Sequence, residues 1–132
     1  MNLENLVGAV GHSEDKVNEM DTTVRWGTGV LPVFSFSSMI HLIEKAACSS
    51  IQELLPPGTT TIATSINVKQ LSTTPMGHHI QSEAIVTKIE GQKIYYKVVA
   101  YDEKGKIGEG THERFAVYAD LFIEKISKKN IT

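Results

Sequence analysis

Counted from Phe36 at about 100° per residue, Phe36, Ile40, Ile43, Ala47, Ile51 and Leu54 fall on one stripe, while Lys45, Ser49, Gln52 and Glu53 point away from it. This pattern predicts a helix running to about Leu54. Ser35, Ser37 and Ser38 stand as candidate N-caps, and Pro56-Pro57-Gly58 follow as a stop. Glu44 projects onto the edge of the apolar stripe, one turn after Ile40 and one turn before Ala47 and Cys48. A carboxylate turned toward a core must find partners, go neutral or do chemistry, which makes Glu44 the first residue to follow.

Beyond the helix, Ile62, Ile66 and Val68 open a strand-rich half whose next runs cover 79–89, 93–101 and 107–118. Pro75-Met76-Gly77 marks a turn before the first of these runs. Glu90-Gly91 is a two-residue hairpin turn, and Asp102-Glu103-Lys104-Gly105 fits a type I turn closed by glycine, so three strands form a meander. Before the helix, a chain punctuated by Gly8, Gly11 and Gly27 holds one further strand around 16–25. The last strand sets Gly108, Gly110, His112, Arg114 and Ala116 on one side, with Ile107, Thr111, Phe115 and Val117 on the other. Two glycines on one face point to close approach by another element. One helix cannot cover both faces of such a sheet, but it covers one face of a sheet that curls around it. The expected fold class is therefore α+β, an antiparallel sheet wrapped around one long central helix, the hotdog architecture. Edge strands of such a sheet need protection, and pairing across a two-fold axis supplies it, so a homodimer is expected.

Composition narrows the functional classes. At 132 residues and 41% hydrophobic content the chain is long enough for one domain with its own core, here about 7–120, followed by a solvated tail at about 121–132. The tail holds the one basic cluster, Lys125, Lys128 and Lys129. With a net charge of −2 and no basic stripe, nucleic acid is not an expected partner. The single Cys48 excludes an internal disulfide and a cysteine-rich metal site and points to a reducing, cytoplasmic setting. No apolar run is long enough to span a bilayer, and the amino terminus carries acidic residues where a secretory signal carries basic ones. Adjacent His78 and His79 point to opposite faces of a strand, a poor geometry for a shared metal, and no other set has zinc spacing. Gly108-Glu109-Gly110 lies in a strand with no helix after it, so it is not a dinucleotide fingerprint. No metal or other cofactor is implied.

Three segments together carry a family resemblance: Gly108-Glu109-Gly110-Thr111-His112-Glu113-Arg114, Thr74-Pro75-Met76-Gly77, and Met39-Ile40-His41-Leu42-Ile43-Glu44. In order and spacing they resemble the fluoroacetyl-CoA thioesterase family of hotdog proteins, over roughly residues 7–118. The resemblance implies hydrolysis of a small acyl-CoA thioester by a dimer with its site at the subunit interface. It also implies a catalytic set of threonine or an equivalent hydroxyl, a helix glutamate and a histidine. The family's glutamate falls on Glu44, the residue reached from helical phase alone. Its threonine, eight residues earlier, falls on Phe36, and its histidine, seven residues before the glycine of the Thr-Pro-x-Gly turn, falls on Gln70.

Glutamine donates and accepts hydrogen bonds but takes no proton near neutral pH, so the family's mechanism does not transfer whole. Either Glu44 alone activates water while Gln70 and backbone amides orient the thioester carbonyl, or Ser35, Ser37 or Ser38 replaces the missing hydroxyl. Each residue also has a plainer role. Glu44 serves equally as a structural carboxylate bonded to backbone amides or to Arg114, and Gln70 as a polar contact. The serines serve as N-caps, Phe36 as core or pocket lining, and Ala63 as packing or as the small residue that admits a ligand. His112 and Arg114, alternating on one strand face, meet either Glu44 or an acyl-CoA group, or form a structural ion pair; His41 lies toward solvent. Three functions stay open: a thioesterase led by Glu44, a silent acyl-CoA or small-ligand binding module, and another hotdog enzyme such as a dehydratase or a thioesterase acting on a carrier-bound acyl group.

Overall fold

The computed structural model describes residues 1–129. After a 3-10 turn at Glu4–Leu6 come β1 (Val10–Lys16), a second 3-10 turn (Glu19–Asp21), α1 (Thr23–Trp26) and α2 (Phe36–Ile51). Then follow β2 (Thr59–Gln70), β3 (His79–Glu90), β4 (Lys93–Asp102), β5 (Gly105–Tyr118) and α3 (Ala119–Ser127). The strands make one five-stranded antiparallel sheet in the order β1-β3-β4-β5-β2, with α2 across its concave face. The α+β arrangement of a long helix held by an antiparallel sheet is thus the one expected.

Ser35 is the cap of α2: its hydroxyl accepts the Ser38 N–H at 3.0 Å. The Ser38 hydroxyl instead accepts the indole N–H of Trp26 at 2.9 Å. The helix stops at Ile51 rather than Leu54, and the Ile51 carbonyl then accepts the N–H groups of Leu54 and Leu55 in a closing turn ahead of Pro56. The buried face also differs from the expected stripe. Met39, Leu42, Ile43, Ala46, Ala47 and Ile51 are buried, whereas Phe36 and Leu54 are exposed and Ile40 is half-buried. The physical reason is placement: α2 packs chiefly on β1 and β3, so its Leu42–Ala46 side is covered and its Phe36–Ile40 side is left open.

Glycine makes that placement possible. A Cβ on Gly11 of β1 would overlap the Ala46 carbonyl oxygen and the Ser50 nitrogen, so helix and strand meet at backbone distance. Two bonds lock the contact: Ser13 Oγ donates to the Leu42 carbonyl at 2.6 Å, and Ser49 Oγ accepts the His12 N–H at 3.1 Å. Gly108 on β5 does the same for Met39, whose sulfur would lie 2.6 Å from an added Cβ.

The strand expected at 16–25 is displaced. β1 ends at Lys16, and the polar residues that follow satisfy their backbone locally. Asn18 and Asp21 form a reciprocal capping box, and the Thr22 hydroxyl accepts the Arg25 N–H. The β3–β4 turn is Gly91-Gln92, one residue later than Glu90-Gly91. Glu90 pairs with Lys93, and Gly91 supplies a positive φ of 61° at the first loop position, the type II′ pattern. The β4–β5 turn lies at Glu103-Lys104 between paired Asp102 and Gly105, as expected, with the Asp102 carboxylate accepting the Lys104 N–H at 2.8 Å.

The core limits also need correction. Leu3 and Leu6 are buried, so the core begins before residue 7. The expected tail is helical up to Ser127: α3 lies along β5, and a groove of about 570 Å³ bordered by Phe115, Val117, Leu121, Phe122 and Ile126 separates them. Its apolar residues recur at helical spacing, which a solvated tail does not need. Positions 130–132 of that tail lie outside the described residues.

Candidate functional site

The concave face of β5 carries Arg114 inward beneath α2, with its side chain only 8% exposed. A buried guanidinium must spend its N–H groups on partners, and this one does. Nε donates to Thr61 Oγ1 at 2.9 Å, Nη2 to the Thr61 carbonyl at 3.3 Å, and Nη1 to His112 Nε2 at 3.3 Å. Nη1 also lies 3.5 Å from Glu44 Oε1. Glu44 itself is 37% exposed in its side chain, so the carboxylate meets a fixed cation on one side and solvent on the other.

His112 is 1% exposed, and its ring lies against that of Tyr96 at a centroid separation of 5.7 Å. Its Nδ1 donates to the Ser65 carbonyl at 2.8 Å. Burial pushes the imidazole below its ordinary range; the Ser65 bond opposes this and the Arg114 cation adds to it. Tyr96 is buried too, its hydroxyl donating to the Ala47 carbonyl at 3.3 Å, and burial pushes its phenol up to about 12.

Glu44, His112 and Arg114 are therefore brought together. Gln70 stands apart from them in the chain: it pairs with Gly108, whereas Arg114 pairs with Ala63, on the order of 20 Å away along β2. The Gln70 side-chain nitrogen is buried and has no hydrogen-bond partner among the described residues. Ala63 is exposed on the edge strand. Ser35 is committed to capping and Ser38 to Trp26, which leaves Ser37 as the exposed hydroxyl of the three. Phe36 is 44% exposed, so it is not core. His41 is exposed, as its position on the wheel indicates.

Two contributors escape the sequence reading, Thr61 and Tyr96. Tyr96 is the register partner of His112, and it lies on the buried alternation Ile94, Tyr96, Val98, Ala100. That alternation was the available signal: a tyrosine on an inward face needs a partner for its hydroxyl. Chemically, the cluster offers one carboxylate that lies beside arginine, reaches solvent and is held from behind. The histidine beside it has both ring nitrogens engaged and offers no free base.

Comparison with known proteins agrees with this architecture. Residues 17–120 match the family model described as FlK, fluoroacetyl-CoA-specific thioesterase. The fluoroacetyl-CoA thioesterase of Streptantibioticus cattleyicolor is 32% identical over 97 residues, covering 74% of this chain and 70% of that protein. A solved structure of the fluoroacetyl-CoA thioesterase FlK superimposes with a TM-score of 0.85 at 27% identity, covering 95% of this chain and 97% of the other. A hot-dog-like protein from Thermanaerovibrio acidaminovorans gives a TM-score of 0.90 at 22% identity over 100% of this chain and 99% of its own, a likeness of fold. The chain belongs to the fluoroacetyl-CoA-specific thioesterase family, hotdog-fold hydrolases of acyl-CoA thioesters.

Proposed function

We propose that this protein hydrolyses a small acyl-CoA thioester with Glu44 as its principal catalytic group. The observation that carries the reading is the half-exposed Glu44 carboxylate fixed by a buried, fully engaged Arg114. In the proposed step Glu44 takes a proton from water as the oxygen attacks the thioester carbonyl carbon. The C–S bond then breaks, and the proton passes from Glu44 to the departing CoA sulfur, leaving the free acid and CoA thiol. The amide N–H of Gln70 is an uncommitted donor for the carbonyl oxygen.

Within one chain Gln70 and Arg114 lie at different levels of the β2–β5 pair, which argues for a homodimer. β2 is a twelve-residue edge strand, exposed from Ile62 to Ser65. A two-fold axis crossing it midway between Thr61 and Gln70 sets Gln70 of a second copy beside Thr61 and Arg114. Phe36 and Ser37, exposed at the start of α2, then border the acyl end, with Ala63 small enough to leave room. The unpaired Cys48 favours a reducing, cytoplasmic setting, and no helix among the described residues is long and apolar enough to cross a membrane.

A second reading, a silent acyl-CoA-binding module, is favoured by Phe36 and Gln70 standing where the family has a hydroxyl and a histidine. Release of CoA thiol from acetyl- through long-chain and aromatic acyl-CoAs separates the two. Turnover above the buffer rate supports the thioesterase. Binding of the same esters without turnover supports the module.

A further inference from the structure

We infer that His112 is a positioning residue that acts only in its neutral, Nδ1-protonated form, accepting a hydrogen bond that aims Arg114 at Glu44. The inference rests on the proposed role of Glu44 and assigns the group that keeps that carboxylate in place.

The tautomer follows from the partners alone. The Ser65 carbonyl can only accept, so the proton of the ring must be on Nδ1, 2.8 Å away. Arginine can only donate, so Nε2, 3.3 Å from Arg114 Nη1, must present its lone pair. A doubly protonated ring would turn an N–H toward an N–H and set two cations in contact in a buried site. Arg114 has nowhere else to turn for that bond, because its other two nitrogens are held by Thr61. Loss of the Nε2 acceptor therefore releases Nη1, the one nitrogen that faces Glu44 Oε1.

The surroundings hold the ring in that state. From β4 the Tyr96 phenol lies against it, neutral and unable to compensate a charge. From α2 the facing charge is Glu44 and on β5 itself Glu113 flanks the ring, both favouring the proton, while Arg114 opposes it. β2 contributes the uncharged Ser65 and Thr61, and exposed Lys88 of β3 borders the same recess. Burial is the leading influence and, with the adjacent arginine, outweighs the Ser65 bond and the two carboxylates, so the imidazole is held below its ordinary range. Acidification through the range of this histidine, below the free imidazole value of 6.5, thus dismantles the clamp.

The test joins a readout that needs no turnover to one that does. Long-range proton–nitrogen NMR on the intact protein, with the His112 signals identified by their absence from His112→Gln, reports the tautomer directly. The expected result is a protonated Nδ1 and bare Nε2 at pH 7, with protonation of Nε2 only below pH 6.5. A protonated Nε2 at pH 7 overturns the inference, whatever the enzyme does. For turnover, His112→Leu should lower kcat/KM by roughly 10²-fold, the scale of a misplaced catalytic group, at unchanged melting cooperativity. His112→Gln, whose amide oxygen still accepts from Arg114 but does not titrate, should recover part of that loss and shift the acid limb of kcat/KM to lower pH. An acid limb identical in wild type and His112→Gln contradicts the inference. Absence of turnover in the wild type, with the tautomer as stated, removes the thioesterase reading and leaves the histidine–arginine clamp standing.

Discussion

At the scale of single residues, Glu44 and Arg114 are unequal partners. The carboxylate is partly in water and receives one long contact, so the pair adds little to stability, about 0–1 kcal/mol. Arg114 holds Thr61 and His112 as well, so its removal strands buried acceptors at about 1–3 kcal/mol. Urea denaturation should show Glu44→Gln within about 1 kcal/mol of wild type and Arg114→Met clearly less stable; the reverse order would make Glu44 a structural residue. The proximity of Glu44 to Arg114 was legible in the sequence, from helical phase on one element and strand alternation on the other. The state of His112 was not. It depends on the Ser65 carbonyl and on Tyr96, each brought in by register that spacing along the chain does not encode.

Among elements, β2 shows how a local irregularity organises the site. Its pairing with β5 shifts between Ala63 and Ser65, so the partners of the inward residues Ala116, Arg114, His112, Gly110 and Gly108 are Thr61, Ala63, Ile66, Val68 and Gln70. An unbroken period of two from Thr61 would turn Ile66, Val68 and Gln70 to the opposite face. The extra residue brings Gln70 back to the face that carries Arg114. Nothing in the run Ile62-Ala63-Thr64-Ser65-Ile66 announces this bulge. The meander, by contrast, was legible because its turns carry glycine and Asx chemistry at the needed positions, displaced by one residue at Gly91-Gln92. The rotation of the buried face of α2 was hidden for another reason. Ile40 and Leu42 are equally apolar, and only the close approach at Gly11 decides which side is covered. Gly11→Ala should therefore cost about 3 kcal/mol in denaturant unfolding, since the obstacle is backbone that cannot rotate aside. A loss under about 0.5 kcal/mol would mean that α2 is free to lift from β1.

For the whole molecule, the proposed site calls for two copies, because one chain leaves Gln70 far from Arg114 and leaves the long β2 edge unpaired. Wild-type protein should sediment at about twice its 14.5 kDa chain mass. Thr64→Asp with Asn67→Asp, exposed positions that face each other across an axis midway between Thr61 and Gln70, set like charges there and should yield a folded monomer without turnover. An active monomer would show that each chain carries a complete site. The overall class, one long helix in an antiparallel sheet, was evident from the change of hydrophobic period after Pro57. The helical character of 121–127 was missed because lysines and a terminal position read as solvated chain, although Leu121, Phe122 and Ile126 already share a helical face.

In the proposed reaction one carboxylate does the chemistry that the family's fuller set otherwise performs. Its most direct test is kcat/KM for release of CoA thiol by Glu44→Gln, measured on the best acyl-CoA substrate of the wild type with the melting temperature of each protein alongside. The expected result is a loss of at least 10²-fold in kcat/KM, the range of a general base, with a melting temperature close to that of wild type. A Glu44→Gln protein that turns over within threefold of wild type while remaining folded would contradict it.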